Sequence, residues 1–305
     1  MTALRVVKSG LLSTIQDLGR VGYQSVGVSV AGPMDWYSHR LANRLVSNDD
    51  RAAAIEVTLI GPELVAEGDA LCAIAGAEFD VTVDGLPVST SVPFTVQRGQ
   101  RIVFGQRRRG ARATLAVRGG INVPPTLGSR STHLVSQMGP FGGRALQAGD
   151  LLPIGTAGTA LRFCGTRRLP LIDGTATLRI MEGPHRDRFH EEAWASLCSE
   201  PFRISPDSNR MGYRLEGPPL THVCGADILS EATVVGSLQV PASGQPILLM
   251  ADRQTTGGYT IIATVATADL PLAGQLAPGD AVSFAPCSRE KALAALAERE
   301  SQLRS

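Results

Sequence analysis

The sequence predicts a mostly β protein built as two β-rich domains with a few short helices. Turn-forming residues are frequent, with 33 glycines and 19 prolines among 305 residues. Short apolar runs broken by glycine recur along the chain, and several of them alternate with the period of two that strands show. Helical spacing of apolar residues occurs in only three segments. A turn-rich chain of short strands is typical of barrels and sandwiches.

Strands are predicted first in the N-terminal half. Residues 79–88 alternate with period two around Asp84-Gly85, which predicts a hairpin. Residues 94–104 predict a second hairpin that turns near Gly99. Further strands are predicted at 53–58, 63–66, 70–75 and, ending at Gly119-Gly120, at 113–117.

Two or three helices are predicted, from three candidate segments. In residues 33–46, Pro33 suits the first helical position, Asn48 suits the stop, and one face carries Met34, Tyr37, Leu41 and Leu45. Residues 186–197 are the second candidate. The third is 288–303, where Ser288 suits the N-cap and the apolar stripe is Leu293, Leu296 and Leu303.

The domain boundary is predicted in a connector at residues 155–174, which is rich in Gly, Thr and Arg. Gly149-Asp150 before it and Gly279-Asp280 near the C-terminus each precede a short apolar run, which predicts a closing strand in each domain. We therefore expect an N-terminal β-rich domain at 1–165, a second β-rich domain at 175–287 and a C-terminal helix at 288–305.

The charge balance excludes several function classes. With 29 basic and 28 acidic residues the net charge is +1, so neither nucleic acid nor a membrane is the expected partner. Lys8 and Lys291 are the two lysines. The sequence therefore offers almost no candidate for a Schiff-base lysine, a Walker-type phosphate lysine or a biotin acceptor lysine. Any ATP or biotin chemistry is expected on other chains, and this chain alone is expected to bind no cofactor.

The sequence also lacks the residue patterns of a metal site, a redox-active cysteine pair and a membrane span. The five cysteines and five histidines show no metal-ligand spacing, so no metal site is predicted. The N-terminus has no signal-peptide apolar region, and no apolar run has the length of a membrane span. These features predict a cytoplasmic protein.

The N-terminal candidates for a binding site lie on a polar segment. Thr14, Gln16, Asp17 and Arg20 stand on a stretch that reads as a loop, too polar for a core strand. Arg20 could hold a substrate carboxylate through its guanidinium fork. The alternative is a loop held by bonds between Asp17 and Arg20.

Two further polar groups follow in the same half. Asp35 falls in the first turn of the predicted helix, where it could contact substrate or only interact with the helix dipole. Asn43 lies inside that helix and could face either way. Residues 128–132 bring Arg130 beside Ser131, and such groups can hold a carboxylate or an oxyanion, although a plain loop has the same pattern.

The C-terminal half offers amide side chains. Gln239, Gln245 and Gln254 each carry a donor and an acceptor, which suit a lactam or ureido group that presents N–H beside C=O. Thr255 and Tyr259 follow in the same polar run.

The carboxylates expected near these amides are Glu231 and Asp252. Either could move a proton. The alternative for each is a salt bridge with Arg210, Arg214 or Arg253. Arg210 is also a candidate for a substrate carboxylate.

Taken in order, these motifs resemble one family. They are residues 13–20, 32–35, Ala42-Asn43, Glu56 with Gly61-Pro62, 128–132, 209–215 and 254–259. The chain resembles the C subunit of 5-oxoprolinase, also described as allophanate hydrolase subunit 2, together with KipA and the carboxyltransferase segment of urea carboxylase. The resemblance extends from about residue 6 to about residue 286.

The resemblance implies a cyclophilin-like β-barrel and a KipI-like B subunit as partner. In 5-oxoprolinase members a third subunit joins, and ATP drives the opening of 5-oxoproline to glutamate, which makes the complex a hydrolase. In urea carboxylase members the same modules move a carboxyl group from biotin on another chain to urea. A KipA-type protein counters a kinase inhibitor and need do no chemistry.

We expect the first of these three functions, with a cleft for a small amide substrate. Its expected lining is Arg20, Arg130, Arg210, Gln239, Asp252, Gln254 and Tyr259. The residues expected to move a proton are Asp17, Glu231 and Asp252. The remaining candidates for substrate contact are Asp35, Asn43, Ser131, Gln245 and Thr255.

Overall fold

The chain folds into two compact units in a computed structural model that describes residues 2–158 and 168–304. Unit 1 comprises Met1–Arg20, Ala31–Leu171 and Ser301–Ser305. Unit 2 comprises Val21–Val30 and Ile172–Glu300. Residues 159–167 of the connector predicted at 155–174 lie outside the described residues, so the predicted domain boundary stays a prediction.

Unit 1 is built mainly of strands. Its elements are β1 Ala3–Lys8, β2 Leu12–Gln16, α1 Trp36–Leu45, β3 Ala54–Thr58, β4 Glu63–Ala66, β5 Ala70–Val83, β6 Leu86–Val88, β7 Phe94–Val96, β8 Arg101–Val117, the short α2 Pro140–Gly143 and β9 Leu151–Pro153. The strands form one nine-stranded sheet with the path β2-β3-β8-β4-β1-β9, to which β5, β6 and β7 are added.

The core of unit 1 lies on one face of this sheet. Leu4, Ile15, Ile55 and Leu115 are fully buried there. Phe79 on β5 meets Phe104 on β8 edge to face, with ring centroids 5.6 Å apart. This contact lies where β5 and β8 run side by side, and it adds aromatic packing to the burial of apolar area.

The first predicted hairpin is confirmed and the second is wrong. Asp84 and Gly85 have φ angles of 47° and 83°, the conformation of a tight hairpin turn, and Val83 pairs with Leu86. The chain also turns at Gly99, whose φ is 88°. However, β7 pairs with β5 and not with β8. The reason is that β4 and β5 already occupy the two edges of the start of β8.

Two further predictions for this unit are wrong. Helix α1 begins at Trp36, not at Pro33, because Asp35 caps it and Glu56 accepts the Met34 N–H at 2.7 Å. Thr14 and Gln16 do not lie on a loop but on the buried strand β2. The Gln16 amide nitrogen donates to the Thr14 hydroxyl at 3.1 Å and to the Thr132 carbonyl at 3.0 Å, and these bonds offset part of the cost of burying this side chain.

Unit 2 contains a closed barrel. Its elements are β10 Thr175–Glu182, α3 Glu191–Ser199, β11 Phe202–Ile204, β12 Gly212–Glu216, β13 Asp227–Ala232, β14 Ser237–Gln239, β15 Ile247–Leu249, β16 Thr256–Tyr259, β17 Ile261–Val265, α4 Leu270–Gly274, β18 Ala281–Pro286 and α5 Arg289–Arg304, whose last residues belong to unit 1. Short 3₁₀ turns stand at Gln24–Val26, Arg186–Arg188 and Thr267–Asp269.

The barrel runs β10-β17-β14-β15-β12-β11-β18 and closes where β18 pairs with β10 in parallel. Strands β13 and β16 form a separate two-stranded ribbon. The predicted closing strands after Gly149-Asp150 and Gly279-Asp280 are β9 and β18. The prediction of a mostly β fold with a barrel is therefore confirmed.

The helices of unit 2 depart from the prediction in two places. The helix expected at 186–197 is interrupted, because the backbone is extended at Phe189 and His190. The Phe189 ring packs on the His222 ring, with the two centroids 4.5 Å apart. Helix α5 has the predicted N-cap, since the Ser288 hydroxyl accepts the Lys291 N–H at 3.3 Å. The prediction that Leu293 belongs to the apolar stripe of α5 is wrong, because this residue is 55% exposed. Among the described residues, no helix combines the length and apolar character needed to cross a membrane.

Candidate functional site

The candidate site residues fall into two groups, one in each unit. Unit 1 holds Asp17, Arg20, Asp35, Asn43, Arg130 and Ser131. Unit 2 holds Arg210, Glu231, Gln239, Gln245, Asp252, Gln254, Thr255 and Tyr259.

Asp17 is the centre of the unit 1 group. Its carboxylate accepts hydrogen bonds from the Ser129 hydroxyl at 2.5 Å, the Arg130 N–H at 2.6 Å, the Ser131 hydroxyl at 2.7 Å and the Gly19 N–H at 2.9 Å. Burial opposes the charge of Asp17, but these four donors outweigh it and hold its pKa below the ordinary value. The carboxylate is thus ionised and engaged by the chain itself.

Arg20 and Arg130 anchor the loop around this carboxylate. Arg20 is 1% exposed, and its guanidinium donates to the carbonyls of Thr126 at 2.9 Å and Ser131 at 2.8 Å. Arg130 donates to the Val123 carbonyl at 2.7 Å. The motif at 128–132 is therefore held to β2 by bonds that the protein makes within itself, and Ser131 is part of that network.

Asp35 and Asn43 are also engaged by neighbours. Asp35 accepts the Ser38 N–H at 2.9 Å and the Ser38 hydroxyl at 2.6 Å, which is an N-cap. Asn43 donates to the Ala52 carbonyl at 2.9 Å and accepts from the Asn48 amide at 3.0 Å. The sequence left the direction of Asn43 open, and the structure turns it inward.

His39, for which the sequence indicates only a structural role, joins this network. Its Nε2 lies 3.2 Å from the Asn43 amide nitrogen, which stands four residues on along α1. Because the bond to Ala52 fixes that nitrogen as a donor, Nε2 is the acceptor and the ring is neutral. Burial lowers the pKa of His39 to about 4, against the opposing field of Asp17. The i, i+4 spacing was the one signal of this pair in the sequence.

In unit 2, Arg210 and Asp252 form a buried ion pair. The guanidinium meets the carboxylate through two parallel bonds of 2.9 and 3.0 Å. Their side chains are 3% and 1% exposed. The salt bridge was one of the two alternatives for Asp252, and the structure shows that the pair is formed.

Gln239 and Gln254 form a second polar pair. The Gln254 amide donates to the Gln239 Oε1 at 3.2 Å. The Nε2 of Gln239 is buried and has no hydrogen-bond partner among the described residues. A Cβ added at Gly257 would stand 2.4 Å from that nitrogen, so the glycine leaves the space that the amide occupies.

The ribbon of β13 and β16 approaches this amide pair at Gly257. Glu231 on β13 stands opposite Gly257 on β16, the glycine that lies against the Gln239 amide. The Glu231 side chain is 40% exposed, and its carboxylate lies 3.6 Å from the His185 Nε2. Tyr259, on the same ribbon, is 41% exposed.

Gln245 and Thr255 have structural contacts. The Gln245 side chain bonds to both the N–H and the carbonyl of Gly217, at 3.1 and 3.0 Å, which uses its donor and its acceptor. The Thr255 carbonyl accepts the Thr233 N–H at 3.0 Å. The Gln245 amide is thus fully occupied by Gly217.

The sequence indicates Arg253 only as a salt-bridge partner. It is 8% exposed, and burial lowers the pKa of its guanidinium. Among the described residues, no acceptor bonds to its Nε. The sequence signal was its position between Asp252 and Gln254.

Two open grooves of unit 2 lie away from the candidate residues. A groove of about 530 Å³ and another of about 520 Å³ share Glu182 and Trp194, and their linings consist of residues other than the candidates. In the described part of the chain, no three His, Cys, Asp or Glu side chains form a group that could hold a metal ion.

Comparison with known proteins places the fold and these motifs in a family. Residues 26–286 match the model of the carboxyltransferase domain, subdomain A and B. The chain belongs to this carboxyltransferase-domain family. It is 38% identical to the C subunit of 5-oxoprolinase from Escherichia coli over 298 residues, which cover 97% of this chain and 95% of the relative.

Some relatives of this chain are much longer. Urea amidolyase of Saccharomyces cerevisiae is 36% identical over 309 residues, covering 95% of this chain and 17% of the relative. The crystal structure of the Kluyveromyces lactis urea amidolyase superposes with a TM-score of 0.93 and 31% identity over 99% of this chain. This chain spans 20% of the length of that protein.

Proposed function

We propose that this chain is the C subunit of a heteromeric, ATP-dependent 5-oxoprolinase that acts in the cytoplasm. The observation that carries the proposal is the match to the Escherichia coli subunit, which covers 97% of this chain and 95% of the relative. The Saccharomyces urea amidolyase, by contrast, is matched over 17% of its length. A KipI-like B subunit and a third subunit complete the complex, and these partners supply the ATP site.

The reaction adds water across the lactam C–N bond of 5-oxoproline and yields glutamate. Gln239 and Gln254 are the residues best suited to bind the lactam. One amide of the pair donates to the other at 3.2 Å, which leaves one donor and one acceptor between them in either orientation of the two amides. A lactam presents a carbonyl acceptor beside an N–H donor, so its edge complements the pair.

The proton transfer falls to Glu231 in this proposal. Asp17 is held by four donors and Asp252 by Arg210, so neither carboxylate has the freedom that a general acid or base needs. Glu231 is 40% exposed and stands on the ribbon that approaches Gln239 at Gly257. His185, 3.6 Å away, is positioned to orient it.

A reconstitution experiment tests the proposed function. The chain is purified together with the KipI-like protein and the third subunit, and glutamate formation is followed with 5-oxoproline and ATP. We expect turnover that requires all three subunits and ATP, with no glutamate from any one of them by itself. Absence of glutamate from the complete complex, together with carboxylation of urea when carboxybiotin is supplied, would contradict the proposal.

The second candidate is the carboxyltransferase module of a biotin-dependent urea carboxylase. The TM-score of 0.93 against the Kluyveromyces urea amidolyase over 99% of this chain favours it. The amide pair suits urea as well as a lactam, since both present N–H beside C=O. Urea carries no carboxylate, however, and this difference separates the two candidates. A complex that forms tightly but turns over neither substrate would instead indicate regulation of the KipA type.

A further inference from the structure

Arg253 is a buried arginine. Among the described residues, no acidic side chain forms an ion pair with it. It is 8% exposed, and its Nε has no hydrogen-bond partner there. The ion pairs of the neighbouring residues do not include it, since Asp252 faces Arg210. A charge buried without a partner is unfavourable, and proteins retain such a group where a ligand supplies the opposite charge.

The backbone of Arg253 is fixed at both ends. Its N–H donates to the Met250 carbonyl at 3.2 Å, and its carbonyl accepts the Ser29 hydroxyl at 3.0 Å. The root of the side chain is therefore held before any ligand arrives. A guanidinium on a fixed backbone loses less conformational freedom on binding an anion than one on a mobile loop.

Other unpartnered polar atoms lie on a neighbouring strand of the barrel. The Ser237 hydroxyl and the Gln239 Nε2 are buried without a hydrogen-bond partner among the described residues. These residues stand two apart on β14, so their side chains share one face of the strand. Gln254, which follows Arg253 in the chain, bonds to Gln239 at 3.2 Å. The described residues of unit 2 thus include unsatisfied donors and one positive charge that lacks an acidic partner among them.

Hydrogen-bond donors together with a guanidinium favour an oxyanion as ligand, because its oxygens accept hydrogen bonds and carry negative charge. A carboxylate offers two acceptor oxygens that match the guanidinium fork and carry the compensating charge. The burial of Arg253 favours a small molecule over an acidic side chain of a partner subunit, because few ligand atoms can reach a residue that is 8% exposed. Phosphate offers similar oxygens, and the experiment must separate it from a carboxylic acid.

We propose that Arg253 is the anion-binding residue of unit 2 and that its ligand is the carboxylate of a small acid. This inference rests on the proposed function, in which the acid is 5-oxoproline. The Gln239–Gln254 pair then binds the lactam while Arg253 holds the carboxylate. Arg20 and Arg210, the arginines that the sequence suggested for this role, are engaged by carbonyls and by Asp252.

The test measures binding by calorimetry without ATP, on the full chain and on the reconstituted complex. The probes are 5-oxoproline, 2-pyrrolidinone, which is the same lactam without the carboxylate, and inorganic phosphate. The variants are Arg253→Met and Arg253→Lys, and the control is Arg214→Met, an exposed arginine on β12. Circular dichroism confirms that each variant is folded.

We expect the unaltered protein to bind 5-oxoproline at least ~10-fold more tightly than 2-pyrrolidinone, because charged hydrogen bonds exceed neutral ones. Arg253→Met should abolish that difference, Arg253→Lys should retain part of it, and Arg214→Met should leave it unchanged. Equal affinity of the unaltered protein and Arg253→Met for 5-oxoproline, or no binding by chain or complex, would overturn the inference. Tighter binding of phosphate than of 5-oxoproline would overturn the assignment to a carboxylic acid.

Two outcomes separate this inference from the proposed function. A complex that makes no glutamate but binds 5-oxoproline through Arg253 contradicts the proposed function alone. A complex that turns over 5-oxoproline with an unchanged KM in Arg253→Met contradicts the inference alone. If Arg253→Met weakens the association of the subunits but not the binding of the acid, Arg253 pairs with a partner's carboxylate and the inference fails.

Discussion

The guanidinium of Arg210 binds the carboxylate of Asp252 through two bonds of 2.9 and 3.0 Å, with both side chains almost completely buried. The pair joins the loop before β12 to the loop after β15, so it stabilises this end of the barrel. Neither group is available as a simple substrate ligand while the pair is intact.

Arg210→Met should therefore destabilise the protein. Removal of one partner leaves Asp252 as a buried, uncompensated charge, and we expect a loss of about 3–5 kcal/mol in the free energy of unfolding. The double variant Arg210→Met/Asp252→Leu should recover much of that loss. Urea unfolding of the single and double variants gives the coupling between the two residues. Loss of substrate affinity at unchanged stability would show that Arg210 binds substrate instead.

Gly257→Ala should impair the amide pair without unfolding the protein. The new Cβ would stand 2.4 Å from the Gln239 Nε2, so the end of that flexible side chain must move. We expect a melting temperature close to that of the unaltered chain and a loss of substrate affinity in the complex. Gly258→Ala is the matched control, because its nearest neighbours are the Ile228 carbonyl at 3.5 Å and the Ser230 hydroxyl at 3.6 Å. Equal kinetics for the two variants would speak against a role of Gln239.

His39 should make the stability of the protein depend on pH. Its pKa is about 4 in the folded chain and 6.5 in the ordinary state, so the unfolded chain binds more protons between these values. The stability is fully present above pH ~6.5 and is lost as pH falls through about 4, by an amount on the order of 3 kcal/mol.

The variant His39→Gln should flatten this dependence, because glutamine can still accept the Asn43 amide and does not titrate. Urea unfolding at pH 7 and at pH 4.5 measures the effect, and His190→Gln, an exposed histidine, is the control. An unchanged pH dependence in His39→Gln would mean that other groups cause it.

Glu231→Gln should lower kcat with little effect on KM. Loss of a general acid or base costs typically ~10²–10⁴-fold in rate. The Glu231 side chain is 40% exposed, so the fold should remain intact. Glutamate formation by the reconstituted complex is the measurement, with Glu216→Gln, an exposed glutamate at the end of β12, as control. A kcat within twofold of the unaltered complex would transfer the role to another residue.

Arg253→Met should raise the free energy of unfolding in the absence of ligand. The substitution removes a buried guanidinium that lacks a counter-charge, and we expect a gain of about 1 kcal/mol or more. The melting temperature with and without 5-oxoproline gives a second reading, since a ligand that binds only the folded state stabilises it. The unaltered chain should gain stability with 5-oxoproline and Arg253→Met should not. A destabilised variant would indicate that Arg253 has a structural role.

Much of the fold could be predicted from short sequence patterns. The Asp84-Gly85 turn, the helix cap at Ser288 and the strands after Gly149 and Gly279 each depend on a few adjacent residues, whose conformational preferences act wherever the chain goes. The second hairpin failed because strand pairing is decided by which edges remain open, and β4 and β5 had taken both edges of β8.

The sequence by itself determined the mostly β class, the family motifs and the candidate polar residues, because residue type and spacing carry that information. Only the tertiary structure decided which candidates have partners. Arg20 and Arg210 are arginines in similar polar motifs, yet the fold engages one with carbonyls and the other with Asp252, while Arg253 has no acidic partner among the described residues. The reason is physical: the availability of a charge depends on burial and on partners distant in the chain, such as Asp252, which is 42 residues from Arg210.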